Sequence, residues 1–216
     1  MYDFLPPQFS SRPFQVRKFL FALFVFGFSP FLFAQEENEL DLSMTIQKFN
    51  AGNYNGTLID LQQVIEQHPN NSRAYLFLGR SYLNLKEYRA AMIHLNRSIE
   101  LTPSAMGFKE RGKLKALMED YRGSIDDFNQ AIALDSTFSD ALYNRGLSFL
   151  QLGDHQDAVS DFSQVISWNP KDYEAYFQRG MALIALDKKA EGCKDLSKSA
   201  ELGNFDAYET IKEKCN

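Results

Sequence analysis

Apolar and polar positions alternate along most of the chain with the spacing of paired helices. In the stretch 142–149, apolar or small residues fall at i, i+4 and i+7, which places them on one face of a helix. The stretch 158–165 has the same spacing, and Gly153 separates the two. The pattern therefore predicts two amphipathic helices joined by a tight turn.

This two-helix unit is repeated. The small residue of its first helix recurs 33 or 34 positions apart, as Gly79, Gly112, Gly146 and Gly180. The register places five units at about 38–71, 72–104, 105–138, 139–172 and 173–206. A period of this length indicates a solenoid in which each unit packs against its neighbours.

One further helix is predicted after the fifth unit, at about 205–215. Phe205, Tyr208 and Ile211 recur there at i, i+3 and i+6, a spacing that suits docking through one face. The last repeat of a solenoid needs such a cap, because its outer apolar face otherwise meets water. The sequence thus predicts an all-α fold with a C-terminal capping helix.

Residues 1–34 have the composition of a secretory signal peptide. Arg17 and Lys18 precede the apolar run 19–28, and Ala34 offers a small residue before the cut. The run is shorter than the roughly 20 residues that cross a bilayer, so a retained membrane anchor is the weaker alternative. We expect cleavage after Ala34, membrane contact only through this transient segment, and export of residues 35–216 as a single repeat domain to the periplasm or the cell exterior.

The repeated unit resembles the tetratricopeptide repeat (TPR), and the resemblance covers nearly all of residues 38–216. Besides the glycines, it is carried by the small residues of the second helices and by the large apolar residue four positions later. These are Thr57, Ala91, Ser124, Ala158 and Gly192, and Leu61, Leu95, Phe128, Phe162 and Leu196. The resemblance, to the exported bacterial type, implies a right-handed superhelical solenoid of helix-turn-helix units.

Charged residues also recur inside the units. An arginine precedes the repeat glycine, and an aspartate precedes the large apolar residue of the second helix, in three units. The pairs are Arg111 with Asp127, Arg145 with Asp161, and Arg179 with Asp195. The second unit lacks both and has Leu78 and His94 instead. We predict a structural ion pair between the two helices of each of the three units; the alternative is separately solvated charges, which contribute little to stability.

The chain has two cysteines, Cys193 and Cys215. If the last repeat helix and the cap run antiparallel about Gly203, the two cysteines lie at similar distances from the turn and can meet. A disulfide between them is expected in an exported protein, since disulfides persist in oxidising compartments. Two free thiols in a reducing compartment are the alternative.

The sequence contains no recognisable catalytic motif. The stretch 107–113 has the glycine and lysine spacing of a phosphate-binding loop, but Leu114 stands where a hydroxyl must hold magnesium. The three histidines are scattered without metal-ligand spacing. A net charge of −5 provides no overall basic surface for nucleic acid. We expect a protein that is not an enzyme, with no cofactor, no metal and no nucleic-acid partner.

In TPR proteins the first helices line a concave groove that receives a peptide or a partner helix. By register, the groove residues expected here are Phe49, Arg73, Leu76, Arg80, Lys109, Lys113, Tyr143, Leu147, Phe177 and Met181. Arg80, Lys109 and Lys113 would form a basic centre between apolar flanks, which suits acidic groups beside apolar anchors.

The resemblance therefore implies a scaffold or adaptor that binds a peptide or a partner protein. The alternative is a structural, self-associating component of the cell envelope, in which the groove is buried in a homo-oligomer.

Overall fold

The computed structural model describes residues 42–215, and Met44–Asn216 belong to one compact unit. The predicted signal peptide and its cleavage site lie outside the described residues. Within 42–215 the chain forms eleven helices and no strand. They are α1 (42–50), α2 (Tyr54–Gln67), α3 (Ser72–Asn84), α4 (Tyr88–Leu101), α5 (Ala105–Leu117), α6 (Tyr121–Leu134), α7 (Ser139–Leu152), α8 (His155–Trp168), α9 (Tyr173–Ala185), α10 (Lys189–Glu201) and α11 (Asp206–Lys214).

Short polar side chains begin many of these helices. Asn53 accepts a hydrogen bond from the Gly56 N–H at 2.9 Å at the start of α2, and Asp120 accepts one from the Gly123 N–H at 3.0 Å at the start of α6. Such caps satisfy backbone donors that have no partner within the helix. The sequence therefore sets the helix boundaries locally, before any packing between units.

The core contains one fully buried large apolar side chain from each unit. The side chains Leu61, Leu95, Phe128, Phe162 and Leu196 are all inaccessible to solvent. Each comes from the second helix of its unit, and in the last four units it meets the repeat glycine of the first helix: a Cβ built on Gly146 would lie 2.9 Å from the Phe162 ring. Helix pairs follow one another in this way as an all-α solenoid, and consecutive helices pack from α2 to α11.

The turn inside each unit requires a left-handed backbone at one position. Gly52 and Gly153 supply it in the first and fourth units, with φ of 78° and 82°. Lys86, Glu119 and Asp187 occupy the same position in the other units, with φ of 61° to 64°. Non-glycine residues are strained there because Cβ crowds the following carbonyl.

Replacing Glu119 with glycine is therefore expected to stabilise the protein. Relief of the strain at φ 64° should raise the free energy of unfolding by about 0.5 to 1 kcal/mol. Urea denaturation of the variant beside wild type measures the change. The converse substitution, Gly153→Glu, should lower it by a similar amount, and a gain in stability there would contradict the explanation.

Helix α11 packs against α10 at the C-terminal end, and a disulfide joins Cys193 of α10 to Cys215. The predicted docking face is wrong in part. Ala207 is the side chain of α11 that is buried, whereas Phe205 is 82% exposed and Tyr208 55% exposed. Phe205 precedes the first turn of the helix, where its side chain points to solvent instead of towards α10. The capping helix is present, and Ile211, the third residue of the predicted docking face, is half-buried.

Candidate partner-binding groove

The first helices of successive units form one layer. Helix α3 contacts α5, α5 contacts α7, and α7 contacts α9. Residues in the same register on these helices are therefore neighbours across the layer. The row Arg80, Lys113, Leu147 and Met181 and the row Leu76, Lys109, Tyr143 and Phe177 run along it.

A buried carboxylate that the sequence analysis missed, Glu110, organises the N-terminal half of this layer. The Lys109 Nζ lies 3.2 Å and the Arg80 Nε 3.5 Å from its Oε1, and the Lys113 Nζ lies 3.8 Å from its Oε2. Its counterparts in the next units are the neutral Asn144 and Gln178. An acid at a position that is otherwise uncharged, beside Lys109 and Lys113, was the signal available in the sequence.

Lys109 is buried and is paired with carboxylates, so its charge is not available to a ligand. Its side chain is 9% exposed, and its Nζ also lies 3.4 Å from Asp140 on α7 and 5.3 Å from the centre of the Phe138 ring. Lys109 therefore bridges α5 to α7 through its two carboxylate partners. The basic centre contains three cations and two carboxylates; its accessible positive charge resides on Lys113, 42% exposed, and on the guanidinium of Arg80, while Asp140 at its edge is also exposed.

Two of the apolar residues expected in the groove are buried. The Arg80 guanidinium covers the Phe49 ring at 4.5 Å and the Phe77 ring at 4.9 Å, a cation–π arrangement. Phe49 also packs edge-on against Phe77. Leu76 is buried as well, whereas Arg73 is exposed at the start of α3. The N-terminal half of the groove is therefore polar at its surface, with its aromatic rings beneath the arginine.

The C-terminal half of the layer is apolar. Tyr143 and Leu147 on α7 and Phe177 and Met181 on α9 are half-buried, so each keeps part of its surface available. The Tyr143 ring packs edge-on against Phe162 at 5.5 Å. Burial, with the nearby carboxylates of Glu174 and Asp172, raises the pKa of Tyr143 to about 12. Its hydroxyl is therefore neutral at physiological pH and stays a hydrogen-bonding group.

The three arginine and aspartate pairs lie together in the structure. The Arg145 Nε and Nη2 donate to the two carboxylate oxygens of Asp161 at 2.8 and 2.7 Å. Arg111 with Asp127 and Arg179 with Asp195 have the same two-bond geometry, which is the strong form of this ion pair. The hydrogen bonds that Arg179 donates to the Asp195 carboxylate raise the pKa of Arg179 above its usual value.

The remaining guanidinium nitrogen of each arginine reaches the preceding unit. The Nη1 of Arg111 donates to Asn96 at 2.8 Å, and the Nη1 of Arg145 donates to Asn129 at 2.6 Å. The Nη1 of Arg179 donates to Ser163 at 3.1 Å. These acceptors are not among the residues predicted from the sequence, although each directly follows the large apolar residue of its helix. Each of these three arginines thus joins the two helices of its own unit to the second helix of the preceding unit.

Units without this arginine use other contacts. Lys48 on α1 pairs with Asp60 at 2.7 Å, one helical turn after the usual arginine position. In the second unit His94 stacks on the Tyr82 ring, with centroids 5.2 Å apart. Burial lowers the pKa of His94, so the neutral imidazole is favoured. Apolar stacking therefore replaces the ion pair in that unit.

Neither a metal cluster nor a membrane-crossing helix occurs in the described part of the chain. Among residues 42–215 there is no group of three or more His, Cys, Asp or Glu side chains that could hold a metal ion. No helix in that range combines the length and apolar character needed to cross a bilayer.

Comparisons with known proteins agree with this architecture. Residues 49–105 and 139–172 each match a family model described as tetratricopeptide repeat. Human tetratricopeptide repeat protein 13 is 29% identical over 96 residues, which are 44% of this chain and 11% of that protein. The chain thus spans about a tenth of the length of this curated relative.

Similar solved structures include the crystal structure of MamA protein, 25% identical with a TM-score of 0.68, covering 78% of this chain and 92% of that one. YrrB, described as a TPR protein with an unusual peptide-binding site, is 16% identical with a TM-score of 0.70, over 86% and 98%. PilF of Pseudomonas aeruginosa is 16% identical with a TM-score of 0.72, over 79% and 78%; it and YrrB show a likeness of fold alone. The repeated helix pairs and the family matches together show that the chain contains tetratricopeptide repeats.

Proposed function

We propose that this protein is a scaffold or adaptor whose concave groove binds an extended segment of a partner protein. The observation that carries the proposal is the division of the groove into two halves. Arg80 and Lys113 expose positive charge on α3 and α5, whereas Leu147, Phe177 and Met181 expose apolar surface on α7 and α9. A surface of this kind matches a segment that has acidic groups at one end and apolar side chains at the other.

The charges at the starts of the helices give the bound segment a direction. Arg73 lies in the first turn of α3, whereas Asp140 and Glu174 lie in the first turns of α7 and α9. An acidic stretch is therefore favoured over α3 and α5 and repelled over α7 and α9. The ligand that fits has its acidic block near Lys113 and its apolar block near Phe177.

Further support comes from the relatives and from the fold. The tetratricopeptide repeat fold is typically non-catalytic, and the similar YrrB is described as having a peptide-binding site. The disulfide between Cys193 and Cys215 supports our proposal of an exported protein, because such bonds persist in oxidising compartments. We propose that the domain is residues 35–216 and that its role is binding.

Lys113→Glu should weaken capture of peptides that carry an acidic block followed by an apolar block. Reversing an accessible charge that lies 3.8 Å from the Glu110 carboxylate places two acids where the ligand's acids must bind. We expect about a tenfold loss of affinity, equivalent to about 1.4 kcal/mol. Fluorescence polarisation with labelled 12-residue peptides, tested in both block orders and with a lysine block in place of the acids, measures it.

The matched control is Lys194→Glu, which makes the same change of charge on an exposed lysine of α10, away from the groove. It should leave the affinity unchanged. An equal loss in both variants would mean that net charge alone is sensed, and would contradict the groove proposal. A mass measurement separates the rival in which the groove is buried: that assembly would be oligomeric and would not bind the peptides.

A further inference from the structure

One carboxylate of the protein itself lies inside the basic centre of the groove. The Glu110 side chain is 5% exposed, and cations face both of its oxygens. Lys109 and Arg80 contact Oε1 at 3.2 and 3.5 Å, and Lys113 contacts Oε2 at 3.8 Å. The cations that would receive the acidic groups of a ligand therefore already share an anion.

The repeat fold does not require an acid at this position. Phe77, Asn144 and Gln178 occupy the same register in the second, fourth and fifth units, and each of those units forms the same helix pair. Burying a carboxylate costs free energy of desolvation, which the surrounding cations must offset. Packing alone therefore does not explain the charge of Glu110, and the effect of that charge falls on the neighbouring cations.

The three cations are not held equally by Glu110. Lys109 is paired with Glu110 on its own helix and with Asp140 on α7, beside the Phe138 ring. Lys113 makes the longest of the three contacts, and its side chain is 42% exposed, so it can turn towards a ligand. With three cations and two carboxylates, the centre keeps one uncompensated positive charge.

We infer that Glu110 is a specificity-determining residue that limits the acidic end of the bound segment to a single carboxylate. This inference rests on the proposed groove function and defines the class of ligand for it. The first ligand carboxylate, placed between Arg80 and Lys113, compensates the remaining charge. A second one would exceed the charge of the centre and is repelled by Glu110, whose charge is poorly screened because it is buried. Segments with one acid before the apolar block are therefore preferred to polyacidic or phosphorylated segments.

Glu110→Gln tests the inference with the amide that the chain already has at Gln178. Fluorescence polarisation is measured with labelled peptides that carry no, one, two or three glutamates before the same apolar block, with glutamines in the remaining positions. In wild type the first glutamate should raise the affinity about tenfold, and each further one less than about twofold. In Glu110→Gln the second glutamate should raise it by about another fivefold, because the variant centre has one more uncompensated positive charge.

Two further variants separate the local charge from other effects. Glu191→Gln removes the same charge in the first turn of α10 and should behave as wild type. Glu110→Asn, which introduces the residue found at Asn144, should depend on the number of glutamates as Glu110→Gln does. The peptide without glutamate should bind wild type and both Glu110 variants equally, and tighter binding by the variants would mean that shape and not charge had changed, which would overturn the inference.

Stability is measured separately by urea denaturation, because a purely structural role of Glu110 would change the unfolding midpoint and leave the ligand preference unchanged. The same dependence on glutamate number in wild type and in both Glu110 variants would overturn the inference and leave groove binding intact. So would an equal gain in Glu191→Gln, which would mean that net charge alone is sensed. If wild type binds none of the peptides, the proposed groove function itself is wrong, and the inference is wrong with it.

Discussion

Gly192→Val is expected to lower the free energy of unfolding by about 3 kcal/mol, because it separates two helices whose backbones touch. A Cβ at Gly192 would lie 2.6 Å from the Gly180 carbonyl oxygen and 3.2 Å from the Ile184 backbone nitrogen. A Cβ at Gly180 would in turn lie 2.9 Å from the Gly192 carbonyl oxygen. Backbone atoms cannot change rotamer, so α9 and α10 must move apart. Urea denaturation followed by the fluorescence of Trp168, the only tryptophan, measures the loss.

The loss of stability on replacing a repeat glycine should depend on which atoms the added side chain meets. The atoms nearest to a Cβ at Gly112 belong to the Phe128 side chain and not to a backbone, so Gly112→Ala should cost less than Gly192→Ala. The control Ser197→Ala replaces an exposed residue of α10 and should change stability by less than about 0.5 kcal/mol. If Gly192→Val denatures at the same urea concentration as this control, the close crossing of α9 and α10 does not limit stability.

The helical framework could be predicted because each unit repeats the same packing problem. A small residue on the first helix and a large apolar one on the second leave one way to cross, so their 33- or 34-residue period indicates the helices directly. Helices α3, α5, α7 and α9 begin at Ser72, Ala105, Ser139 and Tyr173, which are the first residues of the units taken from the sequence. Repetition thus supplies information that a single unit would lack.

The electrostatics of the groove could not be predicted in the same way, because they depend on residues that do not repeat. Glu110 occurs once in its register position and neutralises part of the charge of Lys109, Lys113 and Arg80. Arg80 was expected to face a ligand, yet part of its guanidinium surface lies against Phe49. Periodicity assigns a residue to a face of a helix. Its burial and its partners depend on neighbouring units, which pair differently in each case.

The contact of Asp161 with Arg145 should contribute more to stability than a solvent-exposed ion pair does. Asp161 is buried and accepts two hydrogen bonds from Arg145, whose side chain is about one-fifth exposed. In Asp161→Ala the Arg145 guanidinium loses both hydrogen bonds to the carboxylate and keeps the one that it donates to Asn129. We expect a loss of about 2 kcal/mol of unfolding free energy, below the value for fully buried pairs because solvent screens Arg145 in part. Thermal and urea denaturation would measure it.

The second unit has different residues at the arginine and aspartate positions, and it therefore provides the control for this prediction. The second unit has Leu78 and His94 in place of arginine and aspartate, and His94 stacks on Tyr82 instead of forming an ion pair. The double variant Arg145→Leu with Asp161→His should therefore lose less stability than Asp161→Ala alone, since no charge is left without its partner. A double variant that is less stable than Asp161→Ala would show that the bridge to Asn129 in the preceding unit, rather than the pairing of the two charges, holds these helices together.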